Sequence, residues 1–455
     1  MWRYWNMTIY DSPQLTDLYQ LTMVQSYLDH GMKDKAVFEF FVRKLPPKRN
    51  FLVAAGLEQL LDFLTQVRFS DDELEYLANS GYFRPNLIDY LSKFRFTGQV
   101  NAMKEGTLFF ANEPVVQITA SLPEAQLIET RLINLLQLPI LVATKAARCR
   151  LAADDKQLID FGLRRAHGAE AGMLAARASY LAGFDGTSNV LAGQHYGIPV
   201  YGTMAHAYIQ AHDSETEAFH NFAVSQPNNL VLLIDTYDCC HGAERVIELA
   251  EQLKIKGQCI KAVRIDSGAL GNEAIRVREL LDRYGHPEIG IIVSSSVDEY
   301  LIEQLRQQQA PIDGYGIGTS LTTSEDAPFL NCAYKLQEYA GIARRKRSQG
   351  KATWPGCKQV YRYLRNNGQL DYDQLCLATE ISEQGQPLLQ SAILDGQRLE
   401  APESLDILRQ RVKQQLSMLT PALANLSKAA SFELKISQAL QKLTCRTDER
   451  FHCSR

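Results

Sequence analysis

Between residues 121 and 330 the chain repeats one pattern: a short apolar run that stops at polar or glycine residues, then a segment of helical period. The runs are Gln157–Phe161, Ile198–Thr203, Leu230–Asp235, Ile260–Asp266, Ile291–Ser295 and Tyr315–Thr319. Helical patterns follow several of them, at 244–253, 273–283 and 297–307. The last four runs begin 30, 31 and 24 residues apart, close to the roughly 30 residues of a β–α unit. Val/Ile-rich strands alternating with helices predict a parallel sheet buried on both faces, open or closed into a barrel. Such folds carry their chemistry at the carboxyl ends of the strands. Any one polar strand end can be a mere turn; six in one zone point to a site.

A chain of 455 residues exceeds what one hydrophobic core serves. Three parts are expected: an N-terminal α/β domain over 1–120, a β/α barrel catalytic domain over 121–335, and a C-terminal region over 336–455 packing on the first. In the N-terminal part Leu52, Val53, Leu57, Leu60, Leu61 and Leu64 recur at helical spacing, and 94–110 reads as short strands punctuated by Gly98 and Gly106. The middle part opens with a helical stretch over 124–136. Near the C-terminus Leu405, Leu408, Val412, Leu416 and Leu419 form one apolar stripe, a helical extension. The basic run Arg344-Arg345-Lys346-Arg347 reads as a solvated loop.

Charge and cysteine usage narrow the class. Forty-eight Lys plus Arg against fifty-two Asp plus Glu leave a net charge of −4, which excludes nucleic-acid binding by bulk charge. No window approaches the roughly 18–20 uninterrupted apolar residues of a membrane span, and residues 1–13 hold no signal-peptide core; Met7 could serve as the start. The nine cysteines include the adjacent Cys239 and Cys240 but no C-x-x-C pair, so neither a disulfide framework nor a zinc site is indicated. A reduced, cytoplasmic enzyme without nucleic-acid or membrane partners is the expectation.

The densest polar strand end is Tyr201-Gly202-Thr203-Met204-Ala205-His206. Its histidine can act as base, metal ligand or phosphate acceptor, or simply start a helix and bond a carbonyl. Asp235 and Asp266 each stand where an apolar run stops. Together they could share Mg²⁺ or flank a cationic centre; separately, each could cap the next helix. Gly316, Gly318 and Thr319 lie in a glycine-rich stretch, and Ser295 in a serine-rich one. Two such consecutive loops are a common phosphate cradle in β/α barrels. Phe161 followed by Arg164 and Arg165 suits a flat ring beside an anion, or a surface charge pair.

In this order the motifs resemble the nicotinate phosphoribosyltransferase family. The likeness runs over nearly the whole chain, from Thr16-Asp17-Leu18-Tyr19-Gln20-Leu21-Thr22 through Phe161-Gly162-Leu163-Arg164-Arg165, Gly202-Thr203-Met204-Ala205-His206, Arg264-Ile265-Asp266-Ser267-Gly268 and Gly316-Ile317-Gly318-Thr319-Ser320 to Trp354-Pro355-Gly356-Cys357-Lys358. It implies a type II phosphoribosyltransferase: an irregular β/α barrel beside an N-terminal α/β domain. The implied reaction passes phosphoribosyl from phosphoribosyl pyrophosphate to nicotinate, giving nicotinate mononucleotide in NAD salvage. Mg²⁺ serves as cofactor, and ATP hydrolysis is coupled through a phosphohistidine at His206. By the same resemblance Thr203, Arg264 and Phe161 line the nicotinate site, and Tyr19 reaches in across a homodimer interface. Ser295, Gly316, Gly318, Thr319 and Arg164 hold the phosphoribosyl phosphate, while Asp235 and Asp266 face ribose and Mg²⁺–pyrophosphate.

Ser188 stands where the related nicotinamide enzyme carries an aspartate, and the missing carboxylate implies preference for the anionic acid. Two positions depart from the family: a glycine is usual near Ser295, and His167 replaces a glutamine. The rival readings are a nicotinamide or quinolinate phosphoribosyltransferase, a catalytically silent homologue, and an unrelated barrel enzyme such as an aldolase with Lys261 as its only close candidate lysine.

Overall fold

The computed structural model describes residues 12–255 and 257–450; Met7 lies outside them. The chain divides into two compact units, Met1–Thr144 with Phe329–Arg455, and Lys145–Pro328.

The first unit is built on a seven-stranded sheet in which Lys35–Val42 pairs antiparallel with Pro114–Ser121 on one side and with Cys332–Tyr339 on the other. The Lys35–Val42 sequence is rich in β-branched and aromatic residues and buried from Ala36 onward, which is what a central strand selects. The pattern at 94–110 resolves into the strands Gln99–Met103 and Leu108–Phe109. The helix read from Leu52 begins later: Leu52–Val53 pairs with Leu108–Phe109, and the helix runs Leu57–Gln66. Gly56 is the reason. Its φ is +90°, and a Cβ there would lie 2.1 Å from the Leu135 carbonyl oxygen, so the chain turns at a residue only glycine fills. In the C-terminal part Lys358–Leu364 and Leu370–Leu377 form an antiparallel pair, and the stripe of Leu408, Val412 and Leu416 is the buried side of the helix Leu405–Ser417. Within the basic run, Arg345 and Arg347 both pair with Asp448, each at 3.4 Å.

The second unit is an irregular half-barrel. Its six parallel strands are Gln157–Asp160, Gly186–Thr187, Val231–Leu233, Ala262–Ile265, Gly290–Val293 and Gly314–Ile317. In space they run second, first, sixth, fifth, fourth, third. The run Ile198–Thr203 does not form a strand. It makes a single parallel bridge, Val200 to Thr187, through the Thr187 amide to the Pro199 carbonyl and the Tyr201 amide to the Thr187 carbonyl. Pro199 has no N–H to give, and the strand beside it is two residues long, so the ladder stops there. Side chains tie this segment toward the third strand: Asn229 Nδ2 donates to the Gly202 carbonyl at 2.8 Å.

The helical stretch expected at 124–136 becomes Leu122–Leu127 and the 25-residue helix Glu129–Ala153, with Pro139 inside it. The longer helix has the length and hydropathy of a membrane span, but 78% of its most apolar window is buried within the protein. It also carries the buried Lys145 and Arg148, which meet Glu299 at 2.5 and 2.9 Å. Removing one partner of such a buried network costs about 3–5 kcal/mol, because the remaining charge is stranded.

Candidate active site

Strand ends join five of the expected residues, Thr203 with Arg264 and His206 with Asp266 and Asp235. Asp235 follows the third strand and Asp266 the fourth. Asp235 Oδ2 accepts the Asp266 amide at 2.9 Å and the Ser267 hydroxyl at 2.6 Å. Neither aspartate caps the helix that follows: Asp238 caps Cys239–Lys254 by accepting the His241 amide, and Leu270–Arg283 has no side-chain cap. Both carboxylates are therefore left to face one another's loops. Asp266 Oδ1 accepts the Ser294 hydroxyl, and Asp266 Oδ2 lies 3.8 Å from His206 Nε2.

His206 opens the short helix His206–Gln210. Its Nδ1 pairs with the Thr236 hydroxyl at 3.1 Å rather than with a backbone carbonyl, so the ring is fixed from one side and presents Nε2 toward Asp266. Arg264 Nη1 donates to Thr203 Oγ1 at 2.6 Å, while Arg264 Nε is buried without a partner. Burial lowers the Arg264 pKa, opposed by Asp266 and Asp235, and Arg164 lowers it further. A guanidinium short of partners in a dry setting is suited to an anion.

A second group stands at the ends of the first and sixth strands. Asp160 is buried and takes the Gly162 amide at 2.8 Å and the Thr187 hydroxyl at 2.7 Å, which shapes the turn carrying Phe161; burial raises its pKa. The Phe161 ring lies over Gly316, where a Cβ would come within 2.4 Å of it. Ser188 is half-buried beside this turn, its amide donating to the Asp160 carbonyl at 2.8 Å. Gly318 and Thr319 sit where the sixth strand passes into the turn Thr319–Thr322. Ser295 is exposed with φ +82°, followed by Ser296 at +50°. The backbone thus keeps a conformation natural to glycine at the very position where this chain has serine. Arg164 is exposed, and Tyr19, 48% exposed, belongs to the first unit on the helix Leu18–Asp29.

Four contributors were not singled out from the sequence: Thr236 on His206, Ser267 on Asp235, Ser294 on Asp266, and Asp160 under Phe161. The signal for three was available, since each is a hydroxyl residue adjoining a strand-end candidate. Among the described residues no group of three or more His, Cys, Asp or Glu is arranged to hold a metal. The buried Asp235 Oδ1 nevertheless has no hydrogen-bond partner, so a cation there would draw oxygen ligands from the protein and from a phosphorylated substrate. Cys239 stays protonated, its pKa pushed up to about 12 by burial, as a packing residue would.

The model of the nicotinate phosphoribosyltransferase (NAPRTase) N-terminal domain matches residues 15–137, and that of the NAPRTase family matches 156–349. A nicotinate phosphoribosyltransferase of Mycobacterium tuberculosis is 46% identical over 90% of this chain and 88% of its own length. The chain belongs to the nicotinate phosphoribosyltransferase family. The Bos taurus nicotinate phosphoribosyltransferase is 33% identical over 96% of this chain and 97% of its own. The crystal structure of the human nicotinic acid phosphoribosyltransferase superposes with a TM-score of 0.86 at 30% identity, covering 95% of this chain and 99% of the human one. The half-barrel with its separate sheet unit is thus the nicotinate phosphoribosyltransferase fold, and the His206 cluster stands at the carboxyl ends of its parallel strands.

Proposed function

We propose that this protein transfers phosphoribosyl from phosphoribosyl pyrophosphate to nicotinate, forming nicotinate mononucleotide and pyrophosphate in NAD salvage, with ATP hydrolysis coupled through His206. The observation that carries the reading is the linked set Thr203–Arg264 and His206–Asp266–Asp235 at one end of the half-barrel, in a chain of this family.

In this reading Arg264 and the Thr203 hydroxyl receive the nicotinate carboxylate, and Phe161 lies against the pyridine ring in the space that Gly316 leaves. Tyr19 of a second copy would cover the other face of the ring, making the working form a homodimer. The pyridine nitrogen is already a nucleophile, so the residues orient rather than deprotonate it. As the bond from ribose C1 to pyrophosphate breaks, positive charge grows at C1, and the Asp235 and Asp266 carboxylates stabilise it. The same two aspartates would hold Mg²⁺, whose part is to neutralise the leaving pyrophosphate. With its Nδ1 engaged by Thr236, His206 offers the Nε2 lone pair to the γ-phosphorus of ATP. The N–P bond forms as the bond to ADP breaks, and water later hydrolyses the phosphohistidine. The eight cysteines among the described residues are all free, which suits the reduced cytoplasm.

The test is product formation from phosphoribosyl pyrophosphate and Mg²⁺ with nicotinate, nicotinamide or quinolinate, each with and without ATP. Nicotinate mononucleotide formed preferentially, and faster with ATP, is the expected result. Turnover of another base in its place, or of none, overturns the assignment. His206→Ala should keep basal transfer and lose the ATP effect; an undiminished ATP effect would remove His206 from the coupling.

A further inference from the structure

The strand Gly186–Thr187 is two residues long, yet three loops meet at its second residue. The Thr187 amide donates to the Pro199 carbonyl at 3.0 Å, and the Thr187 carbonyl accepts the Tyr201 amide at 2.9 Å. The hydroxyl donates to Asp160 Oδ2 at 2.7 Å and accepts the Asn189 amide at 3.1 Å, using both faculties of a threonine side chain. Gly186 allows this crowding, since a Cβ there would fall 2.4 Å from the Pro199 carbonyl oxygen and 2.5 Å from the Tyr201 ring. Asp160 completes the link. Its Oδ1 takes the Gly162 amide, next to Phe161, and its own carbonyl takes the Ser188 amide, each at 2.8 Å. Phe161 and Ser188 are thus tied through one buried carboxylate and one buried hydroxyl. Such a pair keeps its geometry, because either group left alone in a dry setting is costly.

We infer that the Thr187 hydroxyl, bonded to Asp160, is the positioning group that fixes Phe161 relative to Ser188 and thereby sets how sharply nicotinate is separated from nicotinamide. The inference rests on the reading above in which those two residues meet the base. Thr187 has no exposed surface, so it touches no substrate and acts through its neighbours. Its parts have separate tasks. The backbone groups hold the segment that leads to Thr203, and another residue at this position keeps them. Only the hydroxyl reaches Asp160 and the Asn189 amide. Its removal loosens the Phe161–Ser188 side and leaves the Thr203–Arg264 bond in place.

Thr187→Val removes the hydroxyl at nearly constant shape. KM for nicotinate should rise about tenfold, within what a misplacement of about 1 Å costs, while KM for phosphoribosyl pyrophosphate stays unchanged. The ratio of the nicotinamide inhibition constant to the nicotinate KM should fall by about the same factor. Thr187→Ser keeps the hydroxyl and should return both values toward those of the wild type. Asp160→Asn cuts the same bond from its other end and should shift the ratio in the same direction, with the double variant no worse than the worse single one. An unchanged ratio in both Thr187→Val and Asp160→Asn, a parallel rise in KM for the two substrates, or a serine variant no better than valine would each overturn the role of the hydroxyl. Phe161→Ala separates this role from the reading beneath it. If that variant leaves KM for nicotinate unchanged, the base does not lie against Phe161, and the inference falls with the reading. If it raises KM while Thr187→Val does not, the reading stands and the inference alone fails.

Discussion

Ser188 stands half-buried beside the Phe161 turn, and in the proposed reading a carboxylate there would accept from an amide substrate and repel an acid. Ser188→Asp is expected to raise KM for nicotinate by about tenfold, the equivalent of about 1.4 kcal/mol, and to gain some nicotinamide turnover. An unchanged ratio of the two activities would contradict the proposed role. Thr236 is the partner that holds the His206 ring. Thr236→Val keeps the shape and removes the hydroxyl, so ATP-dependent phosphorylation of His206 should fall by about tenfold while basal transfer persists. A proportional loss of both rates would mean that Thr236 serves the fold alone. At this scale the sequence could name Asp235 and Asp266 but not choose between capping and catalysis. The structure removes the capping role, since Asp238 takes the cap and Asp266 meets Ser294 from another strand end.

Single elements were legible where an apolar run announced them, and five of the six sheet strands lie within the runs read from the sequence or one residue beyond. The exception, Gly186–Thr187, is two residues long and has no such run. Ile198–Thr203 misled for the opposite reason: it is apolar, but only Ile198 is buried, Val200 is half exposed, and Pro199 cannot extend a ladder. Glycine-bearing strands also hide their purpose. Gly316 is in the middle of the sixth strand, and only the Phe161 ring lying over it explains why no side chain is present. Gly316→Ala should push that ring aside and raise KM for nicotinate by about tenfold, with a smaller effect on phosphoribosyl pyrophosphate. Equal effects on the two substrates would place the damage in the strand instead of the ring.

For the whole molecule, buried charge links stability to pH. Arg362 and Asp373 form a two-pronged buried pair at 3.0 and 2.6 Å. Beside it, burial and the Asp373 carboxylate hold the Glu113 carboxyl well above its ordinary range. The folded protein thus binds this proton more tightly than the unfolded chain. Its contribution is complete below the unfolded carboxyl value near ~4.3 and is lost as pH rises through the raised folded value. Glu113→Gln cannot ionise, so its thermal midpoint should fall less steeply than that of the wild type toward alkaline pH; parallel Tm curves would show that Glu113 does not titrate there.

The antiparallel sheet of the first unit has a consequence for synthesis. Lys35–Val42 leaves the ribosome early, yet its neighbour Cys332–Tyr339 follows only after the whole of 145–328 has been made. At about 5–20 residues per second, one edge of a largely apolar strand waits unpaired for tens of seconds. The contiguous segment 145–328 has all of its strands in hand by then. A nascent chain of this protein therefore carries its aggregation hazard at the front and completes its middle first.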